Sequence, residues 1–228
     1  MGPKKGDTPY PLQYIVSQES LSDNGGSFIA RGTIKLMVKE QDLDLRHFEA
    51  IDDGDEISFT GTDNKQQIVH FINYVSRCRT TGHINGKYST SAFRIDVDNV
   101  SLMLSPGSYI LGRADMGLNE KLVGIGADTV HIDAYGAFFQ APLKTTGEYN
   151  HVIQIDISKN VTIKGLKAIS GGDGLYIDSP ITRDNNGYGI LVILGTYINE
   201  AKKNVDITIV NHTSIRDGQD GTRGGLGM

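Results

Sequence analysis

Residues 151–177 read HVIQIDISKNVTIKGLKAISGGDGLYI. The stretch holds three short apolar alternations: Val152-Ile153-Gln154-Ile155, Val161-Thr162-Ile163 and Leu175-Tyr176-Ile177. Corners that are polar or rich in glycine separate them, Ser158-Lys159-Asn160 and Gly171-Gly172-Asp173-Gly174. A period of two that breaks after a few residues, again and again, is the pattern of a coil of short strands.

Part of this stretch recurs. Val161 to Ile169 (VTIKGLKAI) lines up with Ile207 to Ile215 (ITIVNHTSI). Each copy runs into a corner rich in Gly and Asp, and then into Gly-Leu-Tyr-Ile (174–177) or Gly-Leu-Gly-Met (225–228). Self-similarity of this kind marks a solenoid, whose rungs have no core of their own and are stable only as a stack. The β-branched Val161, Ile163, Ile207 and Ile209 suit the inward side of such rungs. The expected class is therefore all-β. Because the chain stops at Met228 directly after a strand-like segment, an unpaired edge would be left there. The expectation is that the chain is the front part of a longer protein, or that a partner covers its end.

The composition agrees with many tight turns: 28 Gly, 6 Pro and no Trp, with 38% hydrophobic residues for a core. A net charge of −5 and the lack of a dense Lys/Arg block argue against nucleic acid as a partner. The single cysteine, Cys78, excludes an internal disulfide and a cysteine-based zinc site. The N-terminus, MGPKKGDTPYPLQ, has no apolar core of signal-peptide length and no apolar run approaches membrane-spanning length, so no membrane partner is expected.

Residues 1–45 read as a lead-in or attachment segment and 46–228 as the body. In the lead-in, Gln13–Val16, Ser27–Ala30 and Thr33–Val38 look like strands, and Asn24-Gly25 is a hairpin signal. Glu49 to Glu56 (EAIDDGDE) lacks the ligand spacing of a calcium loop and reads as a solvated turn. One helix is expected from Thr62-Asp63-Asn64 to about Arg79, with Asp63 as its cap and Gln66 closing a capping box. Its apolar stripe is Ile68, Phe71, Ile72 and Val75. Cys78 falls at its C-terminal end, where a thiol gains no activation. Beyond the helix the text is strand and turn to the end.

This order of parts resembles the right-handed parallel β-helix superfamily of pectate-lyase type. Within it, the order is closest to the tailspike and capsule-depolymerase proteins of bacteriophages. The resemblance covers about residues 43–228. It rests on a short strand at Leu45–Ala50, the turn Asp52-Asp53-Gly54-Asp55, and the helix introduced by Thr62-Asp63-Asn64. The strand end Gly86-Lys87-Tyr88-Ser89-Thr90, the rung Asn160-Val161-Thr162-Ile163 and the corner Gly172–Ile177 complete it. Two departures stand out. The acidic turn is not of the usual Gly-Ala-x-Gly-Asp-Gly form, and the Asp-Asp and Gly-His-Gly motifs of the polygalacturonase branch are absent from the coil.

The resemblance implies a right-handed β-helix preceded by a short β element and one capped helix. It implies a homotrimeric virion spike that binds, and in its catalytic members cleaves, a bacterial surface polysaccharide. Virion tail or baseplate proteins would be its other partners. A cellular polysaccharide lyase or glycoside hydrolase, and a non-catalytic structural module, are the competing readings, since the fold alone does not fix activity.

Candidate catalytic residues are Asp173, in the corner of one copy, and Asp217 and Asp220, in the matching corner of the next. If the copies stack, these carboxylates share a face and offer an acid–base pair for a glycosidic bond. Aspartates in glycine-rich corners also cap turns through their own backbone, and that role explains them more economically. Tyr135 and Asp178 are the candidate sugar-binding residues. Tyr135, Phe138 and Phe139 can serve either as a stacking platform or as core, and core is the favoured role. His131, His151 and His212 stand singly, so no metal site is assigned, and no cofactor is implied.

Overall fold

The computed structural model describes residues 14–16, 28–31, 34–38, 43–117, 120–142, 151–156, 158–169, 176–178, 190–193, 205–211 and 213–215. The described part is mostly β, with parallel sheets that do not close into a barrel. Strands β1 (Tyr14–Val16), β2 (Phe28–Arg31) and β3 (Ile34–Val38) form an antiparallel sheet in the order β1-β3-β2. Asn24-Gly25 lies outside the described residues, and the strands on either side of it are not neighbours. β2 instead pairs antiparallel with β3, with Arg31 opposite Ile34.

Three parallel sheets make the body. The first holds β4 (Leu43–Asp44), β5 (Thr81–Ile84), β8 (Val100–Leu104), β11 (Val130–Asp133), β14 (Lys159–Lys164) and β18 (Val205–Val210). The second holds β6 (Lys87–Thr90), β9 (Tyr109–Gly112), β12 (Phe138–Gln140), β15 (Lys167–Ile169) and β19 (Thr213–Ile215). The third holds β7 (Phe93–Ile95), β10 (Lys121–Ile125), β13 (His151–Asp156), β17 (Ile190–Ile193) and β16 (Tyr176–Asp178). The chain visits the sheets in turn, so β5, β6 and β7 are followed by β8, β9 and β10 on the next level. This order breaks once, where β16 pairs outside β17 rather than beside β13.

The repeat read from the sequence is the register of two neighbouring levels. Val161, Thr162 and Ile163 pair with Ile207, Thr208 and Ile209, and Lys167, Ala168 and Ile169 pair with Thr213, Ser214 and Ile215. One core runs through all three sheets. Val100, Val130 and Val161 supply it from the first sheet, Tyr88, Ile110 and Phe139 from the second, and Phe93, Val123 and Ile153 from the third. Within each set the residues are in register, so each strand buries its alternate side chains on those of the strand before.

The corner between the third and first sheets explains why Asp is frequent there. Asp98 Oδ1 accepts the backbone N–H of Asp128 at 2.8 Å, and Asp128 Oδ1 accepts that of Lys159 at 2.8 Å. Each carboxylate thus ties one level to the next. The residues that follow, Asn99, Thr129 and Asn160, all have positive φ, at 60°, 59° and 54°. Asn tolerates that conformation, whereas a β-branched Thr is strained in it. Thr129→Asn is expected to stabilise the fold by about 1 kcal/mol, a rise of roughly 2–4 °C in Tm. A calorimetric scan of the two proteins checks this.

The helix α1 spans Lys65–Cys78 and ends at Arg79 with φ 50°. Ile68, Phe71, Ile72 and Val75 are all buried, with Tyr74 beside them. They pack on β5, β7 and β8, so the helix lies against the starting levels of the stack. No helix among the described residues is long and apolar enough to cross a membrane. The cap differs from the expected one. Asn64 occupies the cap position and makes no side-chain bond to the helix, because that side chain is engaged elsewhere. Asp63 accepts the N–H of Lys65 at 3.0 Å and, from across the molecule, the N–H and hydroxyl of Ser91. Burial works to raise its pKa, but these hydrogen bonds outweigh it and hold the carboxyl below its usual value. Asp63→Ala is expected to cost about 1–2 kcal/mol at neutral pH. A depressed carboxyl contributes above its unfolded pKa and stops contributing as pH falls through the folded one. The difference between the two proteins in urea should therefore vanish well below pH ~4.

Two further segments depart from expectation. Leu45–Phe48 is a 3₁₀ turn rather than a strand, because Asp44 caps it by accepting the N–H of Arg46 at 2.9 Å. The acidic segment 49–56 departs only in part: Asp53 and Asp55 are exposed, as in a solvated turn, but the carboxylates are also hydrogen-bonded. Asp52 accepts the N–H of Lys87, Asp53 the N–H and hydroxyl of Thr62, and Asp55 the N–H groups of Ile57 and Ser58. Glu56 pairs with Lys87 at 2.8 Å. The loop covers the outer side of the second sheet, where Gln140 donates to the Glu56 carbonyl and Leu111 lies against Gly54.

Candidate functional site

Asp173, Asp217 and Asp220 lie outside the described residues. Asp178 ends β16 opposite Ile193. Of the five candidate catalytic and sugar-binding residues, Tyr135 is the one whose side-chain position is described. It stands in the turn after β11 and is half-exposed. Its ring lies directly over Gly165 of the next level, so close that any Cβ there would strike it.

The neighbouring aromatics divide. Phe139 is core, as favoured. Phe138 faces outward and stacks on Tyr109, with centroids 4.6 Å apart and planes 8° from parallel. Lys87 lies over the Tyr109 ring at 5.2 Å and Lys167 over the Phe138 ring at 4.9 Å. The four follow one another in register across β6, β9, β12 and β15. Both ring faces are therefore occupied, each by the other ring or by an ammonium group. A sugar would need a free face, so this ladder is a rigid structural feature rather than a stacking platform.

The outer side of the first sheet has a shallow hollow of about 180 Å³. Ser101, His131 and Thr162 pair across it, beside Met103, Asp133 and Lys164. Among the described residues, no group of three or more His, Cys, Asp or Glu side chains is placed to hold a metal. Cys78 is exposed at the end of α1.

A larger groove, about 530 Å³, lies between the first half of α1 and the outer side of the third sheet. Lys65 and Val69 line it from the helix, Ala92 to Arg94 and Asp96 from β7 and its flanks, and Glu120, Lys121 and Gly124 from β10 and the residue before it. The alternation of β7 sets this up. Phe93 and Ile95 turn into the core, so Arg94 and Asp96 must both face out. Arg94 Nε donates to Asp96 Oδ1 at 3.1 Å, and both side chains are about half exposed. Such a pair contributes little to stability, about 0–1 kcal/mol, so its value lies in holding the guanidinium in place.

The glycines of β10 make room for it. Gly124 is in register with Arg94. A Cβ at Gly124 would lie 3.0 Å from Arg94 Nη1, and one at Gly126 would collide with Nη2. The guanidinium therefore lies close to both glycines. Glu120 accepts the N–H of Gly117 at 2.8 Å, which ties the loop before β10 to the groove rim. The groove escaped the sequence reading because its residues come from three separate segments. The usable signals were Arg94-x-Asp96 on an alternating strand, and Gly124-x-Gly126 with the same spacing on the next.

Comparison with protein-family models, with curated proteins and with solved structures finds no match to this chain.

Proposed function

We propose that this chain is part of a right-handed parallel β-helix spike of bacteriophage tailspike type, and that it binds a bacterial surface polysaccharide. Residues 1–45 attach the spike to virion tail or baseplate proteins, and three copies associate. The observation that carries this reading is the groove of about 530 Å³ on the outer side of stacked parallel sheets, lined by charged side chains. A polymer needs an open, rigid surface with fixed polar groups, and residues held on strands supply better-fixed positions than residues on loops. The in-register stacking of one short strand on the next is what a solenoid requires. Asp98 and Asp128 read as structural in this picture, since their carboxylates hold adjacent levels together.

Two measurements test it. Light scattering after size exclusion should give a trimer at micromolar concentration; a monomer there would sink the spike reading. Incubation with purified capsular and O-antigen polysaccharides should show saturable binding. Release of reducing ends in the same incubation identifies a hydrolase, and of unsaturated sugars a lyase. Binding without either leaves a recognition module.

A further inference from the structure

We infer that copies of this chain associate along one edge of the stack, the edge between the first and second sheets, with Tyr135 at the symmetry axis; this rests on the three-copy association proposed above. The three edges differ in chemistry. Between the second and third sheets, the connection 113–120 carries Arg113, Asp115 and Glu120. Between the third and first sheets stand Asp96, Asp98 and Asp128. Between the first and second sheets the connections are 85–86, 105–108, 134–137, 165–166 and 211–212, and none of their residues is Asp, Glu, Lys or Arg. The difference matters at a rotation axis that runs along the stack. Each residue there meets its own copies, so an acidic or basic side chain would face its like. A neutral edge lies at such an axis without repulsion.

The same edge gathers exposed apolar surface. Four large hydrophobic side chains are exposed among the described residues. Ile57 is one, on the acidic loop. The other three lie on or beside this edge: Tyr135 at 48%, Met103 at 46% and Val210 at 37%. Apolar side chains that cluster rather than scatter mark an interaction surface. Met103, Asp133, Lys164 and Val210 form one outward row of the first sheet, in register on successive levels. Tyr135 follows two residues after Asp133 and rests its ring on Gly165. A ring already held in place loses little freedom when a neighbour covers it. On the level before, a Cβ at Gly107 would meet nothing within 4 Å, so no side chain there blocks a close approach.

The two flanks of the edge complement each other. On the second-sheet flank run Lys87, Tyr109, Phe138 and Lys167. Around a three-fold axis the first-sheet flank of one copy faces the second-sheet flank of the next. Met103 then meets the ring edges of the Tyr109 and Phe138 stack, whose faces are taken. Asp133 then stands between Lys164 of its own copy and Lys167 of the neighbouring copy, an acid matched by bases.

The test measures the mass of the full chain by light scattering over a concentration series. Tyr135→Glu places three like charges at the axis and should raise the concentration needed for half-assembly roughly 10-fold or more. Met103→Glu, on a strand and away from the Gly165 contact, should act in the same direction. Lys159→Glu, an exposed position on the edge between the third and first sheets, should leave assembly unchanged. A retained β-type circular dichroism spectrum in the dissociated variants separates lost association from a folding defect. Cross-linking tests the axis without adding charge. On a Cys78→Ser background, Tyr135→Cys should give disulfide-linked pairs of chains on mild oxidation, because identical residues meet at the axis, and Lys159→Cys should not. Assembly indifferent to both glutamate variants, or cross-linking at 159 and not at 135, overturns the choice of edge and leaves the three-copy reading standing. A wild-type chain that is monomeric or dimeric throughout the series overturns both.

Discussion

Asn64→Asp is expected to destabilise the protein by about 3–5 kcal/mol at neutral pH, a large share of the ~5–15 kcal/mol that holds a typical domain together. Asn64 is fully buried. Its Oδ1 accepts the N–H of Ile51 at 2.7 Å, and its Nδ2 is shared among the carbonyls of Ile51, Thr62 and Ser89 at 3.1, 2.9 and 3.1 Å. Its backbone N–H donates to Ser89 as well, and its carbonyl accepts the first helical bond, from Ile68. One side chain thus joins the loop at 51, the start of α1 and β6. An aspartate fits the same volume but places a carboxylate oxygen against three carbonyls, in a fully buried site. Asn64→Ala should cost less, roughly 2–4 kcal/mol, since it leaves polar groups of Ile51 and Thr62 unpaired but adds no charge. The pH dependence separates the two. Burial raises the folded pKa of the introduced carboxyl, so the folded state binds the extra proton. The deficit of Asn64→Asp should therefore be small below pH ~4 and grow as pH rises above it, while that of Asn64→Ala stays flat. Urea titrations at several pH values decide it; equal, pH-independent deficits would show that the site is hydrated.

Asn64 also shows what was legible in the sequence and what was not. The stacking was legible because inward positions repeat the same chemistry. Val161 and Ile163 meet Ile207 and Ile209 in register, and β-branched residues in period two leave a visible trace. The helix was legible for the same reason, through its stripe from Ile68 to Val75. Singular contacts leave no such trace. An Asn that caps nothing and instead joins three segments looks like any helix-start residue. The carboxylates at 52, 53 and 55 look like a solvated run, although their partners at Lys87, Thr62 and Ser58 fix the loop. The groove depends on α1 lying near β7 and β10, which neither local periodicity nor a repeat encodes. Tyr135 was found by residue type, but its packing on Gly165 required knowing which levels are adjacent.

Gly82→Leu is expected to unseat α1 at a cost of about 3 kcal/mol or more, although register alone would recommend it. Gly82 occupies an inward position of the first sheet. Across the strands from it, in register, come Leu43 on one side and Leu102, Ile132, Ile163 and Ile209 on the other. A leucine would complete that row. The space, however, already belongs to the helix. A Cβ at Gly82 would lie 2.5 Å from Phe71 Cζ and 2.6 Å from Val75 Cγ2, both on buried side chains. Interiors packed to the density of organic crystals have no room for such a shift, so either the helix or β5 must move. A double-mutant cycle makes the cause testable. Phe71→Ala alone should cost about 3–5 kcal/mol by opening a cavity. If steric conflict is the cause, Gly82→Leu should be partly accommodated in that cavity. The double variant would then be more stable than the sum of the two losses by about 1–3 kcal/mol. Strict additivity in chemical denaturation would mean that Gly82 is required for some reason other than the helix. The row of aliphatic residues that builds the stack is interrupted where the helix supplies the packing instead.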